Sequence, residues 1–281
     1  MASSSANSPK ARALGAELRQ ARERTGMSTR KLGALIERAG SHITRWEQGR
    51  LTPSEADTAT LCALLGVTGD ERERLLELAR DAAAPDWLAP GVDRQLAALT
   101  EYERSATLIT LINPMLIPGL LQTPAYATAV LAAFGATARD AEYRTMLRMG
   151  RQRVIMDQRI RLDVVIGEHA LRYAPAEQAV MVEQLAYLTD QAQRDHITVR
   201  VLPTGHSAAS ALMGPWVLME FDQQRPVVHL EHYAASTMIT NQKAVTSYQD
   251  AADILRDEAM SPPSTAGLIA DITKMMKEQE Q

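Results

Sequence analysis

The stretch ITRWEQGRLTPS, from Ile43 to Ser54, decides the fold of the N-terminal part of this chain of 281 residues. Ile43 and Trp46 are three residues apart, so a helix carries both on one face. Gly49 is the residue type that most easily adopts the left-handed conformation just after a helix end. Ser54 forms a capping box with Asp57, which starts another helix. The stretch therefore predicts one helix end, a tight connection and a new helix.

The same kind of signal predicts helix boundaries on both sides of this stretch. Ser8 followed by Pro9 marks a helix start. Ser28 caps a second helix, and Thr68 with Glu71 forms a capping box for a fifth. The sequence thus predicts five short helices in about 80 residues. The side chains expected to face the core from the second helix are Leu32, Leu35 and Ile36.

The segment LRQARERTGMSTRKLGALIERAGSHITRWEQGRLTPS resembles the XRE-type, or lambda-repressor-like, helix-turn-helix domain. The resemblance covers roughly residues 10–80. It departs from the family pattern at Thr29, where many relatives have glutamine, and at Glu37-Arg38-Ala39, which replaces the usual Gly-Val-Ser. The positions that fall in register together are Leu18, Ser28, Leu32, Ile43, Trp46, Glu47, Gly49 and Pro53.

This resemblance implies an all-α, five-helix DNA-binding head whose third helix enters the major groove. Ile43 and Trp46 are then the core of this recognition helix. The outward residues expected to contact bases are Gly40, Ser41, Thr44 and Arg45. A guanidinium can pair with both acceptors of guanine, which favours Arg45 for specificity, with a phosphate contact as the alternative. The residues expected to contact phosphates are Thr29, Arg30, Lys31, His42 and Arg50.

A carboxylate in the most basic part of the chain would repel phosphate unless it were paired. The resemblance implies that Glu47 pairs with Arg22 on the first helix, as a largely buried structural ion pair.

Charge divides the chain into a basic beginning and an acidic remainder. Residues 1–53 contain ten Lys or Arg against four Asp or Glu, a net of +6. The remaining residues carry a net of −10, which gives the overall −4. A basic segment on an acidic body is typical of a DNA-reading module attached to another domain.

Composition indicates an ordinary globular protein, with 46% hydrophobic and 23% charged residues. Cys62 is the single cysteine, which excludes an internal disulfide and a cysteine-based zinc site. No apolar run reaches the length of a membrane helix, and the first residues lack a signal-peptide pattern. These features predict a cytoplasmic location without membrane contact.

The later part of the chain predicts an α+β domain. AAAPDWLAPG, with two prolines and a glycine, marks a boundary, and the pattern of residues 108–112 predicts a helix. Four later segments, RLDVVIGE, ITVRVLP, GPWVLMEFD and RPVVHLEHY, predict a small sheet of about four strands. The expected organisation is a multidomain chain, with a disordered tail at 1–8, a helix-turn-helix domain at 9–83, a linker at 84–91 and an α+β sensor or dimerisation domain at 92–281.

Segments of this second domain, among them PGLLQTPAYATAVL and LRDEAMSPPSTAGLI, resemble the C-terminal domain of the WhiJ-like regulators of actinobacteria. That domain has no assigned biochemical role. The resemblance implies a transcriptional regulator, often encoded beside a small acidic partner protein.

Candidate chemical sites are weak in this sequence. HLEH at 229–232 offers two histidines and a carboxylate, but a metal site would need a third ligand such as His206, so a structural role is favoured. Glu168-His169 with Asp163 is a common surface combination. We therefore predict no catalytic residue, no metal, no cofactor and no enzymatic activity.

The sequence as a whole predicts a sequence-specific transcriptional regulator that binds double-stranded DNA as a homodimer. Its C-terminal domain would sense a small-molecule effector, dimerise or bind a partner. One alternative is an antitoxin-like or scaffold protein whose C-terminal domain captures a small acidic partner protein. Another is an enzyme fused to a DNA tether.

Overall fold

The structure is a computed structural model that describes residues 8–80, 87–89, 92–173, 175–205, 214–231 and 236–279. The predicted tail before Ser8 and most of the predicted linker lie outside these residues. The chain divides into two compact units. The first unit contains Met1–Ser105 and Gln223–Val245, and the second contains Ala106–Asp222 and Thr246–Gln281.

The first unit begins with the five helices predicted for the head. Ser8, Ser28 and Ser54 cap three of them, each side chain accepting a hydrogen bond from the backbone N–H three residues later. These short-range signals therefore placed the helix starts correctly. The helices are α1 (Pro9–Arg24), α2 (Thr29–Leu35), α3 (Gly40–Glu47), α4 (Glu55–Leu64) and α5 (Gly69–Arg80).

A single hydrophobic core holds these five helices together. Every helix contributes at least one buried side chain to it, with Leu14, Leu32, Ile43, Leu61 and Leu75 nearly inaccessible to solvent. Burial of this kind stabilises a domain by about 25 cal/mol for each Å² of apolar surface removed from water.

One predicted core residue of α2 is wrong. The side chain of Leu35 is 52% exposed, whereas Leu32 is buried and Ile36 is half-buried. The helix has only seven residues and ends at Leu35. Glu37, two residues later, adopts a positive φ of 54° that begins the connection to α3. Leu35 and Ile36 lie on opposite sides of Leu32 around the helix, and the core lies on the side of Ile36.

The first unit also contains one long helix and three strands from later in the chain. Helix α6 (Val92–Ser105) packs against α1. Strands β1 (Trp87–Ala89), β6 (Val227–Glu231) and β7 (Ser236–Ile239) are antiparallel, with β7 between the other two. The first unit therefore combines the head with segments that the sequence assigned to the second domain.

The second unit is built on four strands in the order β5-β2-β3-β4. Strands β2 (Leu108–Asn113), β3 (Arg161–Gly167) and β4 (Ile197–Leu202) are parallel, and β5 (Trp216–Glu220) is antiparallel to β2. The mixed sheet confirms the predicted α+β character. The later helices are α7 (Pro124–Ala133), α8 (Ala138–Arg151), α9 (Glu168–Arg172), α10 (Gln178–Ala192), α11 (Gln242–Glu258) and α12 (Pro262–Gln279).

The predicted number of about four strands is too low, because the described residues contain seven. The four predicted segments became β3 to β6. The missed β2 has the sequence LITLIN, which was expected to be helical. Its central four residues are buried, so its sequence lacks the alternation that distinguishes a strand.

Within the described ranges, no helix is both long and apolar enough to cross a membrane.

Candidate nucleic-acid interface

The inward side of α3 is fixed by two buried side chains and a close approach of α1. Ile43 is 2% exposed and Trp46 is 3% exposed. Gly15 lies against the end of α3, where an added Cβ would meet the Trp46 carbonyl and lie 2.7 Å from the Glu47 carbonyl oxygen. A glycine at position 15 therefore allows α1 and α3 to pack backbone to backbone.

Arg22 and Glu47 form a bidentate ion pair between the same two helices. The Arg22 Nε donates to Glu47 Oε1 at 2.6 Å and Nη2 donates to Oε2 at 3.0 Å. The Arg22 Nη1 also donates to the Met27 carbonyl at 2.7 Å, which ties down the connection to α2. The side chains are only 12% and 7% exposed. The hydrogen bond to Glu47 raises the pKa of Arg22 despite burial, so the structure places the two residues as the resemblance implied.

Gly49 closes α3 in the left-handed conformation, with a φ of 66°. An added Cβ would lie 2.7 Å from Arg12 Cγ and 2.8 Å from Arg12 Cα. The chain then turns back so that the Leu51 N–H donates to the Arg45 carbonyl at 3.1 Å. The C-terminal end of α3 is therefore seated on α1 at two glycines, Gly15 and Gly49.

The turn between α2 and α3 brings the beginnings of these helices close together. An added Cβ at Gly40 would lie 3.0 Å from Arg30 Cα. Gly33 is equally tight, because its Cβ would lie 2.6 Å from the Arg38 carbonyl oxygen. The predicted base-contact residue Gly40 thus has a packing role that explains why it is glycine.

The outward side of α3 separates the four predicted base-contact residues into two pairs. Ser41 and Arg45 are exposed, while Gly40 and Thr44 are half-buried. The Thr44 hydroxyl donates to the Gly40 carbonyl at 3.1 Å, within the helix. Ser41 and Arg45 are therefore the outward side chains best placed to reach a base edge.

The predicted phosphate-contact residues lie along the start of α2 and around α3. Arg30, Lys31 and Arg50 are exposed, and Thr29 is half-buried at the first position of α2. His42 packs edge-on against the Trp46 ring, with centroids 4.7 Å apart and an interplanar angle of 84°. His42 therefore contributes to the seating of the recognition helix.

Ion pairing divides the cations of the head into two groups. Arg19, Arg24, Arg74 and Arg80 each lie next to a carboxylate. Four cations on and beside α2 and α3 lack an ion-pair partner in the part of the chain that the structure describes, namely Arg30, Lys31, Arg45 and Arg50. The face that carries α3 is therefore positively charged, and its charge is available to an anion.

The start of α3 also differs from the other helix starts of the head. Ala39 is its N-cap and supplies no side-chain hydrogen bond, whereas serines cap α1, α2 and α4. The first N–H groups of a helix need an acceptor, and a phosphate oxygen can provide one.

Sequence reasoning missed Arg12, the largest fully buried side chain among the residues that the structure describes. Its guanidinium stacks on the Tyr102 ring at 4.0 Å from the centroid and donates to Ser105 Oγ at 2.9 Å. It also donates to Gln224 Oε1. These partners are 93 and 212 residues away, so no local pattern could have indicated them. The one local sign of its burial is that an arginine stands at an inward position of α1.

The structure describes only part of the candidate metal site, and it places Glu168 in hydrogen bonds with other residues. His229 is buried in β6, Glu231 is exposed at its end, and His206 and His232 lie outside the described residues. The Glu168 carboxylate accepts from Arg172 Nε at 2.7 Å and from the Thr204 N–H at 2.9 Å. Among the residues that the structure describes, no group of three or more His, Cys, Asp or Glu could hold a metal ion.

Comparison with known proteins identifies two domains. Residues 13–75 match the family described as helix-turn-helix domain, and residues 96–271 match the domain of unknown function DUF5753. The second match covers more than half of the chain, which therefore belongs to the DUF5753 family. The helix-turn-helix domain indicates a DNA-binding regulator with DNA as its partner.

Other comparisons add little. No curated protein matches the chain. A solved structure of TrmBL2, an archaeal chromatin protein whose title reports a novel mode of DNA binding, is 13% identical, with a TM-score of 0.32. The match covers 72% of this chain and 66% of that one. This TM-score is too low to indicate a shared fold.

Proposed function

We propose that this DUF5753 protein is a sequence-specific transcriptional regulator that binds double-stranded DNA as a homodimer through residues 9–83. The observation that carries the proposal is the set of four unpaired, exposed cations around α3, while neighbouring arginines are paired with carboxylates. Phosphates supply most of the attraction between such a face and DNA.

The roles of the site residues follow from their exposure and contacts. Arg45 is exposed on the outward side of α3 and is proposed to read guanine in the major groove. Ser41 shares that side and is proposed to make a second base contact. Arg30, Lys31 and Arg50 would neutralise phosphates, and the uncapped start of α3 would donate N–H groups to one more.

The Arg22–Glu47 pair supports this assignment because it removes the charge of the one acidic side chain on α3. A buried, bidentate arginine holds Glu47 away from solvent. The recognition helix therefore presents a positive side to DNA although its sequence contains a glutamate.

A salt titration of DNA binding tests the proposal. The probe is a duplex of the DNA upstream of the protein's own coding sequence. Neutralising three phosphates per head with Arg30, Lys31 and Arg50 predicts a slope of about −2.7 for log K against log salt concentration, and about twice that for a dimer. A slope near zero would mean that this face does not bind DNA.

Two substitutions separate base reading from phosphate binding. Arg45→Ala should relax the preference for the specific duplex over a scrambled one by roughly 10-fold or more, since a bidentate base contact contributes about 1–3 kcal/mol. Lys31→Ala should weaken both duplexes equally. Arg24→Ala is the matched control, because Arg24 is an exposed arginine of the head that pairs with Glu71 at 2.7 Å. An equal loss of affinity for both duplexes in Arg45→Ala would mean that Arg45 contacts a phosphate and not a base.

The role of the DUF5753 domain in this proposal is to join two copies, so that two heads occupy half-sites about 34 Å apart. Sensing of a small-molecule effector and capture of a small acidic partner protein stay predictions from the sequence, as do the XRE and WhiJ-like assignments. We propose a binding role rather than an enzymatic one for the chain.

A further inference from the structure

The segment from α7 to the end of the turn after α8 carries an unusual amount of exposed apolar surface. Nine large hydrophobic side chains are exposed in the described part of the chain. Four of them lie between residues 134 and 156, namely Phe134, Tyr143, Met146 and Met156. Concentrated exposed apolar surface marks an interaction site more often than scattered apolar residues do.

One side of α8 is solvent-exposed over its whole length. Ala141 and Thr145 face the core, whereas Tyr143 and Met146 are 47% and 60% exposed. Gly150 lies on this exposed side, and an added Cβ there would have no atom within 4 Å. A glycine inside an exposed helix costs about 1 kcal/mol relative to alanine, and it lets another backbone approach closely.

Charges flank this apolar side in a defined order. Glu142 is exposed near the start of α8, and Arg153 is exposed in the 3-10 turn Gln152–Met156 that follows it. Neither has an ion-pair partner within the described ranges. An acid at one end and a base at the other, with the exposed Met146 and the half-buried Met149 between them, make the surface complementary to itself when one copy is reversed.

We propose that this side of α8, with Arg153 of the turn that follows it, binds a second copy of the same chain in an antiparallel, two-fold arrangement; the α8 residues are Glu142, Tyr143, Met146, Met149 and Gly150. The inference rests on the proposed function, since it names the interface of the dimer proposed there. A two-fold contact is isologous, so every contact between two different residues occurs twice, once in each direction.

The register follows from the spacing of the side chains. When Met146 lies opposite Met149 of the second copy, moving four residues toward the N-terminus reaches Glu142. The same step on the reversed helix moves four residues toward the C-terminus and reaches Arg153. One register therefore pairs the methionines in the centre and forms two Glu142–Arg153 ion pairs at the ends.

This contact favours a second copy over an unrelated protein because both of its charge signs are matched within itself. Helix α8 has 14 residues and is about 21 Å long, so the contact is smaller than a permanent interface. We expect a reversible dimer whose formation depends on concentration and whose paired heads reinforce each other on DNA.

Sedimentation velocity of the full chain over a concentration series tests the interface. Met146→Glu should weaken dimerisation by about 10-fold or more, because it places two carboxylates at the centre of an apolar contact. Ile254→Glu is the matched control, since Ile254 is 52% exposed on α11, and it should leave the dimerisation constant unchanged.

A charge exchange makes the test independent of apolar packing. Glu142→Arg and Arg153→Glu should each weaken the dimer by about 10-fold, because two-fold symmetry turns one reversal into two repulsive pairs. The double variant should return to within about threefold of the unmodified protein. Thermal unfolding of every variant shows whether the fold is retained.

Several results would overturn the interface. A chain that stays monomeric at the highest concentration reached would do so. So would single reversals without effect, or a double variant no better than the single ones. Binding of a mixed-sequence 20-bp duplex at low salt is measured in parallel. Weakened binding in Lys31→Ala, with binding retained in the α8 variants, tests the head alone. Failure of the dimer contact is thus distinguishable from failure of DNA binding.

Discussion

Two arginines of α1, Arg12 and Arg22, lie ten residues or about three helical turns apart, and their surroundings differ. Arg22 meets a carboxylate in a bidentate pair, and the hydrogen bond to Glu47 raises its pKa. Arg12 is only 1% exposed and meets an aromatic ring, a hydroxyl and an amide. Burial lowers the pKa of Arg12, with partial compensation from the nearby charges of Tyr102 and Glu101.

The difference shows that α1 has two separate structural tasks. Through Arg22 it holds the recognition helix within the helix-turn-helix domain. Through Arg12 it holds α6 and the segment around Gln224, which belong to the DUF5753 match. A single helix of the first unit therefore contacts both α3 of the helix-turn-helix domain and the beginning of the other family domain.

Removing the Arg22–Glu47 ion pair should have the largest effect on stability. Glu47→Ala leaves a buried guanidinium without its carboxylate, which should lower the free energy of unfolding by about 3–5 kcal/mol. Chemical denaturation monitored by tryptophan fluorescence measures it. Glu55→Ala, which removes the exposed pair with Arg80, is the control and should cost about 1 kcal/mol or less. Equal losses in both variants would contradict the structural role of Glu47.

Removing the contacts of Arg12 should lower the free energy of unfolding by less, and it should change the unfolding behaviour. Arg12→Leu removes the stacking and two hydrogen bonds but also removes a charge that burial disfavours, so we expect a loss of about 1–3 kcal/mol. Because α6 would lose its contact with α1, calorimetry should show the helix-turn-helix domain unfolding before the remainder. Arg12→Lys should resemble Arg12→Leu, since an ammonium cannot stack or fork as a guanidinium does. A single, unchanged unfolding transition in both variants would contradict the role of Arg12 in joining α1 to α6.

A smaller effect, of opposite sign, is expected at the other end of the recognition helix. Ala39 has φ −66° and ψ 146°, close to the values of the capping Ser54 at −64° and 163°. Ala39→Ser can therefore cap α3 without strain and should raise the free energy of unfolding by about 1 kcal/mol. Thermal unfolding measures the gain. Ala39→Val, which cannot cap, should give none; an equal gain would remove capping as the cause.

The smallest effect concerns pH. Burial raises the pKa of Glu101 above 4.5, although Arg19 lies 3.7 Å from its carboxylate and Arg12 also favours the charged form. A carboxyl with a raised folded-state pKa holds its proton more tightly in the folded protein, so stability falls as pH rises from 4.5 through that pKa. Glu101→Gln should flatten this part of the stability profile. A steeper fall in the variant would mean that the Arg19 pair outweighs burial.

Local signals in the sequence predicted the head well. The serine caps, the capping box at Ser54 and the positive φ of Gly49 each depend on residues within a few positions of one another. The prediction for Leu35 was wrong because helical spacing places Leu35 and Ile36 on opposite sides of Leu32, and spacing alone does not show on which side the core lies. Helical spacing cannot show where a seven-residue helix stops.

The second domain and the contacts of α1 were harder to predict because they depend on distant pairing. LITLIN could be a buried strand or a buried helix segment, and only its parallel partner β3 decides between them. In the sequence Arg12 is one of ten cations of the basic segment, and only its distant partners Tyr102 and Gln224 distinguish it from the others. The exposed residues Ser41 and Arg45 could be assigned to the outward side of α3 from spacing, whereas the internal hydrogen bond of Thr44 could not.

The close seating of α3 on Gly15 and Gly49 has a consequence for engineering. Everything that secures the helix lies on its inner side and at its ends, so the exposed positions 41 and 45 can accept a library of side chains while the scaffold stays intact. Position 44 belongs outside such a library, because its hydroxyl is bonded within the helix. Under the proposed function, new operator preferences can therefore be selected by randomising the two codons for positions 41 and 45.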